Sequence, residues 1–404
     1  MQQAARVSVL IFSIIAVIVI LAFWKKNDRK QAITELETRF AAQISIQGDE
    51  FYLGCASPDL KDLNELADVA LRVGDPTILD LTGAPALTSL AGAERMPTLI
   101  SIVAIDCPAL VSAEGVRGHP SLIELVFTDS EKLAETSAIR GLPALTTLDF
   151  SGCIALEGIG IAELPALENL YLSRCRNLKS LDVASFTGLR QFYTDGCAGL
   201  ERIGGLEGLT GLTDLDVSNA TGLTGLPGVE GLSELVVLDI RNVDLDDFSG
   251  IAALPKLRVL RMGGQDAIET LEPFSPLSSL REIHLEACPN LRSLHGIPAG
   301  ISQYAGFTHC PNLTTLEGIE AASGLEQLDV TGCTNLADIN AVAKLEGLVQ
   351  LSLVKCRSVT EIKAVEKLPK LVIAMLGGSG VIPSSVEDLT LSNKEMIFDF
   401  AVSE

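Results

Sequence analysis

Nine cysteines, four histidines and four tyrosines are the side chains of this 404-residue chain whose types and spacing could carry chemistry. Cys107, Cys153, Cys175, Cys197, Cys288, Cys310, Cys333 and Cys356 recur at intervals of 22 or 23 residues or multiples of them, and only Cys55 stands apart. Thiols could form disulfides if such positions stacked, since neighbouring coils of a solenoid lie about 5 Å apart. A row of side by side thiols suits a reducing compartment better than an oxidising one. A zinc site would need paired cysteines such as C-x-x-C, or converging histidines and carboxylates. No C-x-x-C is present, and His119, His284, His295 and His309 are scattered. Nor does the chain contain a G-x-S-x-G, P-loop, H-E-x-x-H or EF-hand pattern. The expectation is a non-enzyme with no metal and no cofactor, in which the eight in-register cysteines form a buried structural ladder.

The interval itself identifies the elements that position these residues. A reference phrase is Leu145-x-x-Leu148-x-Phe150-x-x-Cys153-x-x-Leu156-x-x-Ile159, and the slot held by Cys153 falls at Ala84, Cys107, Ser130, Cys153, Cys175, Cys197, Ala220, Val243, Gln265, Cys288, Cys310, Cys333, Cys356 and Ser379. Around Leu148-Asp149-Phe150-Ser151 apolar and polar residues alternate, as in a short half-buried strand. After the slot the apolar residues come three apart, which predicts a tight returning coil rather than a long helix. So short a unit cannot bury its apolar side alone, and stacked neighbours must complete the core. With 47% hydrophobic but only 4% aromatic residues, that core is aliphatic and layered.

This phrase resembles the leucine-rich repeat family over about residues 74–380, and Leu167-Cys175-Leu178, Leu280-Cys288-Leu291 and Leu325-Cys333-Leu336 match its motif closely. The resemblance implies an α/β-type solenoid: a curved horseshoe of about 14 repeats with a parallel β-sheet on its concave face. The unit from Leu235 to Phe248, with Val243 in the slot, has the shorter step of internalin-like repeats. The family usually places Asn in the slot, where cysteine stands here eight times. Ser302 and Ala305 replace leucine before Cys310, and Thr136 replaces a core residue after Ser130, so these coils are expected to be looser or bent.

Val7–Trp24 is a run of eighteen residues without a charge. As a helix it would measure about 27 Å, close to the apolar thickness of a bilayer. No small-x-small cleavage site follows it, and Trp24 beside Lys25 and Lys26 suits an interfacial anchor. A single-pass transmembrane helix is therefore expected, preceded by a short tail over residues 1–6. Lys25, Lys26, Arg29 and Lys30 outweigh Arg6 on the other side, which predicts a cytoplasmic repeat domain; the alternative is an exported one. Residues 25–45 form a basic linker in which Ile33, Leu36, Phe40 and Ile44 suggest a helix that packs on the membrane or the first repeat, or serves self-association. Residues 46–73 are expected to cap the first coil, with a helix over 58–73, and residues 381–404 to cap the last.

Residues 31–404 carry 25 basic and 51 acidic side chains, a net charge of −26. Such a domain should repel nucleic acid and suits a protein partner, a basic one included. In this family ligands usually meet the outward strand residues. The middle outward column reads Asp80, Val103, Val126, Asp149, Tyr171, Tyr193, Asp216, Asp239, Arg261, His284, Gly306, Asp329, Ser352 and Met375, and the flanking column includes Asn169, Gln191, Asp214, Glu282 and Tyr304. Tyrosine offers a large, stiff contact surface with a polar tip. The expected binding patch is Asp149, Tyr171, Tyr193, Asp214, Asp216 and Asp239, with Arg261 and His284 at its far edge. The expected function is a membrane-anchored protein-interaction scaffold; the alternatives are an exported receptor or adhesin, or the regulatory subunit of a membrane enzyme.

Overall fold

The computed structural model describes residues 24–387, 389 and 396–401. The chain forms two compact units, Met1–Leu167 and Glu168–Glu404. The first opens with helix α1 (residues 24–39), the hairpin strands β1 (Gln43–Gln47) and β2 (Glu50–Gly54), and helix α2 (Asn64–Val73). Strands β3 (Ile78–Asp80), β4 (Ser101–Val103), β5 (Glu124–Val126) and β6 (Thr147–Asp149) follow, one per coil. From β2 to β6 each pairs in parallel with the next.

The second unit contains β7 (Asn169–Tyr171), β8 (Ser180–Asp182), β9 (Gln191–Tyr193), β10 (Arg202–Gly204), β11 (Asp214–Asp216), β12 (Val237–Arg241), the one-turn helix α3 (Ser249–Ala252), β13 (Val259–Gly263), β14 (Glu282–Glu286), β15 (Tyr304–Thr308), β16 (Gln327–Asp329), β17 (Gln350–Ser352), β18 (Ile373–Met375) and β19 (Ile397–Asp399). A parallel ladder runs from β7 through β9 and β11 to β19. Strands β8 and β10 form a separate parallel pair on the returning side.

The core follows from this register. Leu79, Ile102, Leu125 and Leu148 face one another on successive strands and are fully buried. Each such side chain contributes about 1.5–3 kcal/mol on burial, but only when the neighbouring coil covers it. The return runs through short 3₁₀ turns such as Ala93–Arg95, Leu206–Gly208 and Ile319–Ala321, as the three-residue apolar spacing predicts.

A left-handed residue precedes every slot. In all fourteen coils its φ lies between 51° at Ala287 and 78° at Gly332. This bend ends the strand and turns the slot side chain inward. In several coils the slot side chain donates a hydrogen bond to an earlier coil. Cys107 donates to the Leu81 carbonyl (3.2 Å), Cys153 to Phe127 (3.2 Å), Cys197 to Leu172 (2.9 Å), Cys333 to Phe307 (2.9 Å) and Cys356 to Val330 (3.0 Å). Ser130 does the same through its hydroxyl to Ala104 (2.7 Å), and the Gln265 amide donates to Val243 and Gly263. All nine cysteines are buried thiols. Burial pushes Cys153 and Cys356 up to about 12, so they keep their protons and remain donors at neutral pH.

Several expectations change. The helix after the basic segment stops at residue 39, because Ala41 takes a positive φ of 49° and Gln43–Gln47 becomes a strand. It packs on the N-terminal cap: Ala32 and Leu36 are fully buried, Arg72 pairs with Asp28 and Glu35, and Arg39 pairs with Glu65. The capping helix starts at Asn64 rather than 58. Parallel strands also extend beyond residues 74–380, to β2 at one end and β19 at the other. The coil expected to loosen at Ser302 and Ala305 carries a regular five-residue strand, paired on both sides and filled by buried Phe307. Thr136 is buried with its hydroxyl accepting the Gly160 amide at 3.0 Å. Among the described residues no helix is long and apolar enough to cross a membrane. The expected span over residues 7–24 lies outside the described residues, except for Trp24, which is exposed.

Candidate binding face

The outward residues of the second unit form one column. Register places Tyr171 beside Tyr193, then Asp216, Asp239, Arg261, His284 and Gly306 on successive strands. The rings of Tyr171 and Tyr193 lie 5.3 Å apart at 53°, and the Tyr171 hydroxyl donates to Gln191 Oε1 at 2.6 Å. Burial, with Asp214 and Asp216 nearby, pushes the Tyr193 hydroxyl upward, so it stays neutral and able to donate. Asp214 accepts a hydrogen bond from Thr213 Oγ1 at 2.6 Å.

The aspartates of this column first serve the fold. Oδ1 of Asp216 accepts the Ser218 amide at 2.8 Å, and Oδ1 of Asp329 accepts the Thr331 amide at 2.8 Å. Such side-chain bonds to a backbone N–H two residues on close the turn after the strand. Asp239, which also lines the hollow beside Arg261 and His284, goes further. It is only 4% exposed and is gripped by Arg241, Nε to Oδ1 at 2.9 Å and Nη2 to Oδ2 at 2.7 Å. Both oxygens are therefore occupied within the chain. Burial, with Asp239 and Asp195 nearby, raises the carboxyl of Asp216. Asp149 belongs to the first unit, where its Oδ1 accepts the Ser151 amide at 2.7 Å and its Oδ2 the Thr128 hydroxyl at 3.1 Å.

Arg261 and His284, placed at the edge of the patch by sequence, border a hollow on the strand face. About 440 Å³ in volume, it is lined by Asp216, Arg241, Arg261, His284, Glu286 and Tyr304 among others. Among the described residues no carboxylate comes within ion-pair distance of Arg261. The His284 ring stacks on Tyr304 at 4.4 Å and 23°, and burial lowers its pKa, leaving it neutral at physiological pH. Tyr304 can lie flat only because residue 306 is glycine: an added Cβ there would come within 2.6 Å of its ring. Its hydroxyl donates to Asp329 Oδ2 at 3.4 Å.

Tyr304, Gly306 and Arg241 were missed as site residues, although the spacing Tyr-x-Gly was a usable signal. It occurs again at Tyr52-x-Gly54 in the first unit, where the tyrosine hydroxyl reaches Asp80 Oδ2 at 2.9 Å. The site offers aromatic surface, one unpaired guanidinium and several carboxylates. Such groups suit recognition by contact.

No protein-family model and no curated protein matches the chain. Solved structures do. TLR13, in a complex with ssRNA13, aligns with a TM-score of 0.56 at 16% identity, covering 84% of this chain and 55% of its own; this chain thus spans about half of TLR13's length. A leucine-rich repeat protein of Leptospira interrogans aligns at 16% identity over 85% of this chain and 96% of its own, with a TM-score of 0.46. An internalin, inlF, from Listeria monocytogenes aligns at 16% over 81% and 87%, with a TM-score of 0.44. At these identities the likeness is one of fold. That fold is the leucine-rich repeat solenoid.

Proposed function

We propose that the chain is a membrane-anchored scaffold that captures a protein partner on the outward strand face of its second unit. The observation that carries this reading is the register column holding the Tyr171–Tyr193 pair, Arg261 and His284, with Tyr304 of the flanking column stacked on His284 across the hollow. Large aromatic surfaces beside an arginine are the groups most often responsible for binding energy at protein interfaces. The reading is non-catalytic. His119 is buried in the first unit with Nε2 against the Met96 carbonyl, far in sequence from His284. TLR13 was solved with an RNA, but a net charge of −26 over residues 31–404 opposes a phosphate backbone and supports a protein ligand here. Residues 7–24 provide the anchor in this proposal, with the repeats on the cytoplasmic side. Replacing Tyr171 and Tyr193 with alanine should weaken partner capture from membranes by at least about tenfold with the circular dichroism unchanged. Undiminished capture would remove the patch. Digestion of the repeats by protease added outside intact cells would reverse the orientation.

A further inference from the structure

Among the described residues, strand β1 pairs on one side only, leaving its outer edge without a partner strand. It pairs antiparallel with β2, and Gln43, Ser45, Ile46 and Gln47 are exposed, Ile46 by 40%. The hairpin turns through two residues, Gly48 and Asp49, with Gly48 at a φ of 61°. A two-residue turn closes on a hydrogen-bonded pair, here Gln47 with Glu50. Alternation then directs the backbone groups of Gln43, Ser45 and Gln47 at β2 and those of Ile44 and Ile46 away from it. Soluble proteins usually protect such an edge with lysine, proline or a bulge. Gln43-Ile44-Ser45-Ile46-Gln47 has no charge and no proline.

The pentapeptide also reads the same in both directions. An antiparallel pair of β1 strands about a two-fold axis at Ser45 sets Gln43 against Gln47, Ile44 against Ile46 and Ser45 against its own counterpart. Each side chain meets its own kind, which is the self-complementarity that a closed two-fold contact demands. In this register the outward groups of Ile44 and Ile46 face one another and can make four backbone hydrogen bonds. Ile44 and Ile46 sit opposite Leu53 and Phe51, both buried, so the pairing would continue that apolar layer into the second copy.

We infer that β1 is a homodimerisation edge, occupied by β1 of a second copy of this chain. Five paired residues cover less than the roughly 1,200 Å² of a stable interface, so the dimer is weak in dilute solution. It strengthens where copies are held close together, since tethering raises the effective concentration. The inference does not depend on the partner face of the second unit.

The test is disulfide trapping of the full chain in detergent micelles with a copper oxidant. The native thiols are buried, so Ser45→Cys adds the one exposed thiol among the described residues. In the inferred register the two residues 45 sit about 4.5 Å apart between Cα atoms, within disulfide range. Residue 43 instead lies four residues, about 13 Å, from its counterpart, and so does residue 47. Ser45→Cys should give a covalent homodimer at least about tenfold faster than Gln43→Cys or Gln47→Cys. Adding Ile46→Pro, which removes an outward N–H and leaves the bonds to β2, should abolish trapping without lowering the melting temperature appreciably. Equal trapping at all three positions, trapping that survives Ile46→Pro, no trapping at Ser45→Cys, or a disulfide adduct of the Ser45→Cys variant to a different protein in cells would each overturn it.

Discussion

Replacing Ser130 with alanine isolates what the inward slot does. Ser130 is fully buried, its hydroxyl donates to the Ala104 carbonyl at 2.7 Å, and its oxygen accepts the Cys107 amide at 3.2 Å. Alanine removes both bonds and offers no substitute, and each buried backbone group left unpaired costs about 1–3 kcal/mol. With partial relaxation the expected loss is about 2–4 kcal/mol. Ser130→Cys keeps a weak donor and is expected to cost only about 1 kcal/mol. A solenoid opens locally, so the assay is native-state hydrogen exchange read at the Cys107 amide, alongside urea denaturation. Protection at Cys107 should fall by roughly 30-fold to 1,000-fold in the alanine variant, at about tenfold per 1.4 kcal/mol. If the slot were merely volume to be filled, cysteine would match or exceed serine and alanine would cost little. Protection within about threefold of the parent in Ser130→Ala would refute the donor account.

Ala287 takes a left-handed φ of 51° where six other coils place glycine, so Ala287→Gly should stabilise the chain by about 0.5–1 kcal/mol, read as a higher urea midpoint. Gly306→Ala should push Tyr304 off His284, because the new Cβ would collide with the ring; a proton NMR titration should then show the His284 pKa rising toward the ordinary value near 6.5. Asp216 has a carboxyl raised by burial, so in the folded chain it resists ionisation more than when unfolded. Its ionisation therefore opposes folding once the pH exceeds the ordinary value near 3.9, and lowering the pH below that value removes the penalty. Asp216→Asn, which keeps an acceptor for the Ser218 amide, should be more stable than the parent at about pH 7 and no more stable at about pH 3. A constant difference across that range would contradict the assignment.

The repeat was legible because each coil must place the same apolar atoms against its neighbours, and a 22 or 23 residue interval survives changes such as Ser302 and Ala305. The outward columns followed directly, as residues alternate across a strand. What was not legible depends on bonds rather than pattern. Eight non-glycine residues occupy the left-handed position before the slot, from Asp106 to Lys355, so composition conceals a backbone requirement that the coil itself enforces. The apolar spacing from Ile33 to Ile44 fits a longer helix, yet Ala41 breaks it and the hairpin takes over. Strands β2 and β19 lie outside the repeat because their spacings to β3 and β18 are 26 and 24 residues. Asp239 looked available until Arg241, two residues on, was seen to hold both its oxygens.

The most direct test of the proposed recognition is site-specific photo-crosslinking in intact membranes. A benzophenone side chain would replace Tyr193, Arg261 or, as a control away from the strand face, Glu230 in the coil after Gly228. Partners would be identified by mass spectrometry. The account predicts the same protein adduct from positions 193 and 261 and none from 230. Equal adducts from all three positions, or adducts from 230 alone, would contradict it.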